Sequence, residues 1–89
     1  MNNSSNNLED RTLKFSQSVI SLCKNILENT ITKPLIIQLV RSSTSIGANY
    51  AEANNASSRI DFRNKIYISK KEANETKYWL KLLESSIYI

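Results

Sequence analysis

The only glycine of this chain, Gly47, lies within a segment whose other residues favour a helix. Glycine in a helix interior costs about 1 kcal/mol relative to alanine, so this position needs a reason in packing. The neighbours provide one, because Ser43, Gly47 and Ala51 are spaced four residues apart on one helical face. Small side chains at that spacing let a second backbone approach closely. We therefore predict that this helix is the central one and that other helices pack on more than one of its sides.

The scarcity of turn-forming residues limits the fold class. The chain has 89 residues with one Gly and one Pro, which suits long helices better than many short strands. Its length corresponds to one domain. The single cysteine, Cys23, excludes an internal disulfide and is interpreted as a core residue. Without signal-peptide features or an apolar run of membrane-spanning length, we expect an all-α cytoplasmic protein that does not engage a membrane.

Apolar residues recur at spacings of three and four along most of the chain. These spacings predict helices over about 8–28, 33–56 and 59–88. The short links between them predict an antiparallel up-and-down bundle. Residues 1–7 carry nothing to bury, so we expect a disordered tail there and a helical bundle domain over 8–89.

The third helix is apolar on two sides. One side suits packing on the first two helices, and the second, about 140° away, carries Ile68, Trp79 and Leu82. A helix that is apolar on two sides needs a packing partner on each of them. Because the sequence also stops on an apolar stretch, residues 85–89, we expect a fourth helix that is missing or supplied by a neighbouring subunit.

Four polar side chains near the central helix require partners if the fold buries them. We predict that they form a polar network between helices or subunits. Its members are Arg41, Asn49, Glu52 and Glu75.

Matches to catalytic motifs are few and incomplete in this sequence. We therefore predict a non-enzymatic protein without a metal or other cofactor. There is no histidine, which removes the commonest general base and metal ligand. Ser21 and Lys24 match an acyl-enzyme pattern at two positions only. The hydroxyls of residues 42–45 have no evident base and are interpreted as packing groups that bond to the helix backbone. No glycine-rich phosphate loop occurs.

Positive charge is concentrated on the third helix. Residues 58–89 hold seven basic and four acidic side chains, a net charge of +3 out of a total of +4. Five of the basic residues fall within about 40° of each other on a band about 30 Å long. This basic stripe, with the polar residues at its edge, consists of Arg59, Arg63, Tyr67, Lys70, Asn74, Lys77 and Lys81.

Such a stripe can follow a phosphate backbone, with Tyr67 stacking on an unpaired base. The alternative is an ordinary solvated helix face, which is also rich in lysine and arginine.

Two separated motifs resemble the signature of the four-helix-bundle proteins encoded in 23S ribosomal RNA intervening sequences. The resemblance covers about residues 8–89. It rests on Gln38-Leu39, Arg41-Ser42, Ser45-Ile46-Gly47-Ala48-Asn49-Tyr50-Ala51-Glu52, Asp61-Phe62, Ile66, Lys71-Glu72-Ala73, Glu75-Thr76 and Tyr78-Trp79-Leu80.

The resemblance implies an antiparallel four-helix bundle that assembles into a homopentamer. It also implies kinship of fold with the accessory variability determinant of diversity-generating retroelements, a pentamer that binds nucleic acid and a reverse transcriptase. Members of the family usually carry a further helix after the position of Ile89.

Two functions are compatible with the sequence. The first is a homo-oligomer, pentameric by resemblance, that binds structured RNA or DNA through the basic stripe, with RNA as the expected ligand. The second is a protein-interaction module that docks a partner, such as a reverse transcriptase, on the apolar side around Trp79. Nucleic-acid binding weakens steeply with salt, whereas apolar docking does not.

Overall fold

The computed structural model describes residues 4–87, which contain three α-helices and no strand. Helix α1 spans Ser4–Lys24, α2 spans Thr32–Asn54 and α3 spans Arg59–Ile87. Neighbouring helices run antiparallel. The all-α prediction is confirmed, and the described residues supply three of the helices that a four-helix bundle requires.

The helix bounds differ from the sequence prediction mainly in α1. Residues 4–7, expected in the disordered tail, belong to this helix, while residues 1–3 and 88–89 lie outside the described range. Extending an existing helix adds one hydrogen bond for each residue fixed, so the polar residues before Leu8 can continue a helix that later apolar residues anchor.

The end of α1 comes at Lys24, four residues before the predicted end. There the backbone tightens, because the N–H groups of Asn25 and Ile26 bond to carbonyls three residues back, at 3.1 and 3.2 Å. The side-chain amide of Asn25 also donates to the carbonyl of Ser21 at 3.1 Å. These bonds satisfy donors and acceptors that a longer helix would have used.

The link between α1 and α2 is held by Asn29 and Thr32. The Asn29 carboxamide oxygen accepts the N–H groups of Ile31 and Thr32, both at 2.8 Å. In return, the buried Thr32 hydroxyl accepts the N–H of Asn29 at 2.9 Å and donates to the carbonyl of Leu27 at 2.7 Å. This local network fixes the reversal of the chain, since buried polar groups are otherwise costly.

Helix α2 is central, as predicted. Within the described residues, α1 and α3 each pack against α2 but do not approach one another backbone to backbone. The molecule is correspondingly flat, with extents of 46 × 28 × 14 Å.

The core is small and lies where the three helices come together. Its buried members are Val19, Leu39 and Leu83, one from each helix. Cys23 packs against this cluster, and burial raises the pKa of its thiol above the ordinary value. The interpretation of Cys23 as a packing residue agrees with this position.

Small hydroxyl side chains let α2 and α3 approach closely. Ser42 and Thr76 are buried, and their hydroxyls hydrogen-bond to one another at 3.0 Å. Further along, the Ser69 hydroxyl donates to the carbonyl of Ile46 at 2.8 Å. Each such bond satisfies a polar group that the contact removes from water.

At Gly47, α1 and α2 are in close contact. A Cβ atom at this position would lie 2.9 Å from Oγ1 and 3.1 Å from Cβ of Thr12. The Thr12 hydroxyl donates to the carbonyl of Glu9 at 3.0 Å, which holds that side chain in place. One turn away, the Ser16 hydroxyl donates to the carbonyl of Ser43 at 3.3 Å. The small-residue strip therefore serves the packing of α1, as its spacing predicts.

We predict that Gly47→Ala destabilises the protein by about 1 kcal/mol or more, although alanine favours a helix by about that amount. The added methyl would meet Thr12 at less than ordinary contact distance, and Gly47→Leu should disrupt the fold. Thermal unfolding followed by circular dichroism would measure both effects.

The rescue variant is Gly47→Ala combined with Thr12→Ala, which removes the closest atom, Oγ1, and should recover part of the loss. An unchanged or raised melting temperature for Gly47→Ala alone would contradict the close-contact account.

Candidate nucleic-acid interface

The basic stripe runs along the outer edge of α3. All of its members are exposed, whereas Thr76 and Leu83, on the opposite side of the same helix, are buried. The exposed members are Arg59, Arg63, Tyr67, Lys70, Asn74, Lys77 and Lys81. Because α2 covers the buried side of α3, most of the stripe faces away from the other helices. Lys81, at its C-terminal end, also lines a cavity that Leu22 and Ile26 of α1 share.

The arginine and lysine side chains of the stripe have no carboxylate partner among the described residues. Among residues 4–87, the ion pairs involve Lys14, Arg41 and Lys65, and none involves an arginine or lysine of the stripe. An ordinary solvated face would be expected to carry intrahelical pairs of opposite charge. Five unpaired cations on one edge instead produce a local positive potential.

Tyr67 forms part of a shallow hollow at the N-terminal half of the stripe. The hollow has a volume of about 450 Å³ and is lined by Ile60, Arg63, Asn64 and Tyr67. The Tyr67 ring is 67% exposed and Ile60 is 70% exposed. Ile60 and Asn64 were not among the predicted site residues, although they lie seven and three residues before Tyr67 on neighbouring rows of the helix.

Arg41 and Glu75, two members of the predicted polar network, are in contact. Arg41 Nη2 lies 2.8 Å from Glu75 Oε1, and Nη1 lies 3.4 Å from the carboxylate of Glu72. The Glu72 side chain is only 12% exposed. The hydrogen bond to Glu72 is the largest of the effects that raise the pKa of Arg41, and partial desolvation opposes it.

The other two predicted members lie elsewhere. Glu52 pairs with Lys65 at 2.7 Å, and this bond raises the pKa of Lys65. The side-chain amide of Asn49 donates to the carbonyl of Ser45 at 2.8 Å, within its own helix. The four residues do not form one network, because Arg41 and Glu52 are about 16.5 Å apart along α2 and reach different turns of α3.

The apolar side predicted for protein docking is largely used within the fold. Trp79 packs against the core cluster, and its indole Nε1 is buried without a hydrogen-bond partner among the described residues. Ile68 is half-buried, which leaves Leu82, 37% exposed, as the open member of the set. Tyr78, which packs its ring edge-on against Trp79 at 5.1 Å, is 57% exposed.

An apolar groove remains open between α1 and α3. Leu22, Ile26, Leu80, Leu83 and Ile87 contribute to its lining, and its volume is about 500 Å³. The groove exists because these two helices meet only through α2 and the small core.

Two aromatic residues that follow the apolar spacings of three and four are also uncovered. Phe15 is 39% exposed and Phe62 is 41% exposed. Their spacing placed them on apolar faces, but three helices in a flat arrangement do not cover those faces.

Two features are absent from residues 4–87, a metal-ligand cluster and a helix of membrane-spanning character. No cluster of three or more His, Cys, Asp or Glu side chains there is arranged to hold a metal ion. Within the same residues, no helix combines the length and the apolar character that crossing a membrane requires.

Comparison with known proteins gives a family and a structural relative. The family model described as 23S rRNA-intervening sequence protein matches residues 5–89. A crystal structure of a protein of unknown function from the S23 ribosomal protein family of Bacteroides thetaiotaomicron matches with a TM-score of 0.83 and 44% identity. The match covers 96% of this chain and 76% of the other. No curated protein matches the chain.

We predict that Arg41→Ala destabilises the protein by about 1 kcal/mol, because it leaves the mostly buried Glu72 carboxylate without its cation. Lys65→Ala is the matched control and should cost less, since the Glu52 carboxylate of that pair remains 60% exposed. Urea unfolding would compare the two variants.

Adding Glu72→Gln to Arg41→Ala should recover part of the loss, because no unpaired charge then remains at the contact. Equal losses for Arg41→Ala and Lys65→Ala, with no recovery in the double variant, would contradict this role for Arg41.

Proposed function

The chain belongs to the 23S rRNA-intervening sequence protein family, and we propose that it is a non-enzymatic protein that binds structured RNA or DNA, with RNA as the preferred ligand. The proposed binding surface is the basic stripe of α3. The observation that carries the proposal is the row of five exposed arginine and lysine side chains without carboxylate partners among residues 4–87.

The chemistry of the stripe suits a polyanion. Arginine and lysine that neutralise phosphates release condensed counterions, which supplies affinity and makes binding depend on salt. The stripe is about 30 Å long, so its charges can contact phosphates along about one turn of a double helix. Contacts of this kind position a protein on nucleic acid and carry little sequence information.

We further propose that the protein assembles into a homopentamer. The flat shape and the open apolar groove between α1 and α3 support self-assembly, because exposed apolar surface of this kind marks interaction sites. A helix from a neighbouring subunit would fill the groove. Five subunits would present five stripes, and their combined contacts would strengthen weak individual binding.

A variant with Arg63, Lys70 and Lys77 changed to alanine should bind a labelled structured RNA about tenfold or more weakly at about 50 mM salt, because three phosphate contacts are lost. The slope of log affinity against log salt should fall in magnitude by about 2.7. Fluorescence anisotropy at about 50 and 200 mM salt would measure both quantities.

The matched control removes three positive charges from α1 and α2 and leaves the stripe intact. Changing the exposed residues Arg11, Lys24 and Lys33 to alanine also lowers the net charge from +4 to +1, yet should reduce affinity much less. Equal losses in both variants would mean that net charge alone attracts the RNA. If a folded protein binds no RNA, the proposal fails, and salt-insensitive binding to a protein, such as a reverse transcriptase, becomes the hypothesis to test.

Sedimentation velocity should give a mass of about 51 kDa, which corresponds to five copies of the 10.2 kDa chain. Leu22→Asp, in the apolar groove, should reduce the assembly because it places a charge in the contact. The neighbouring variant Ser21→Asp carries the same charge on an exposed position and should leave the mass unchanged. A wild-type mass of 10.2 kDa would contradict the proposal.

A further inference from the structure

We infer that α3 selects unpaired nucleotides over duplex, through two exposed tyrosines on one flank of the basic stripe. The inference rests on the proposed function and names the class of nucleic acid that the stripe receives. Tyr67 is 67% exposed and Tyr78 is 57% exposed. Only Tyr67 is part of the predicted site, and the structure adds Tyr78.

The two rings lie on the same side of the helix. They are eleven residues apart, which corresponds to about three turns, about 16.5 Å along the axis and a difference in direction of about 20°. At the 3.4 Å spacing of stacked bases, that distance spans about five nucleotides. Lys70 and Lys77 lie beside this path, with both ammonium groups free of ion pairs among the described residues. The arrangement offers two stacking surfaces with cations available to the phosphates between them.

The surroundings of Tyr67 suit a single base. In the hollow beside its ring, Ile60 supplies an apolar surface and the Asn64 amide supplies both a donor and an acceptor for a base edge. Arg63 at the same hollow can bind the adjoining phosphate.

A base within a duplex cannot stack on Tyr67, because its faces are covered by its stacked neighbours. Unpaired bases of loops, bulges and ends can be displaced and stacked on aromatic side chains.

Tyr78 is held in place by its neighbour. Its ring meets Trp79 edge-on, with centroids 5.1 Å apart and planes inclined by 74°, and Trp79 is itself packed against the core. A ring that is already positioned loses little freedom when a base stacks on it.

The test compares two RNA ligands with the same stem sequence. One is a stem–loop with an unpaired loop of about five nucleotides, and the other is the stem extended as a fully paired duplex. The double variant Tyr67→Ala and Tyr78→Ala is compared with Tyr67→Phe and Tyr78→Phe, which keeps both rings. Melting curves establish that each variant is folded.

We expect the wild type to bind the stem–loop about tenfold or more tightly than the duplex, since each stacked base adds affinity. The alanine variant should lose about fivefold or more for each ring on the stem–loop, with little change on the duplex. The phenylalanine variant should retain wild-type affinity, because stacking uses the ring.

Equal affinity for the two ligands, or an equal loss on both in the alanine variant, would overturn the inference and leave the proposed function standing. Failure of the folded wild type to bind either RNA would overturn both.

Discussion

The close approach of α1 to α2 at Gly47 is the contact on which the rest of the arrangement depends. A side chain at that position would meet Thr12 at 2.9 Å, so the absence of a Cβ fixes how near the two helices lie. On the other side of α2, hydroxyl groups such as those of Ser42 and Thr76 allow a similar approach of α3. With α2 in close contact on both sides, the three helices form a flat molecule instead of a closed bundle.

The flat arrangement also separates the charges of α3. Glu72 and Glu75 form ion pairs with Arg41 of α2, and Lys65 forms an ion pair with Glu52 of α2. Two of the four acidic groups of α3, Glu72 and Glu75, are therefore committed to the contact with α2. Along most of its length, the outer edge of α3 therefore carries cations as its only charged groups. Their positive potential is suitable for binding a phosphate backbone.

Sequence periodicity was sufficient to predict three helices, a central α2 and the exposed position of the stripe, because spacings of three and four depend only on helix geometry. It failed where the outcome depends on helix placement. Phe15 and Phe62 have the spacing of core residues, yet both are uncovered because the backbones of α1 and α3 do not approach one another. Trp79, which the alternative function assigned to a docking side, packs against the core. Asn49 bonds within its own helix, which no spacing rule would indicate.

The central claim is that the outer edge of α3 contacts nucleic acid, and lysine footprinting by acetylation and mass spectrometry tests it most directly. The protein would be labelled with and without a saturating structured RNA. We predict that the RNA protects Lys70, Lys77 and Lys81, all exposed in the free protein, while Lys24 and Lys33 keep their reactivity. Protection of Lys24 and Lys33 instead, or no protection of the stripe, would contradict the account.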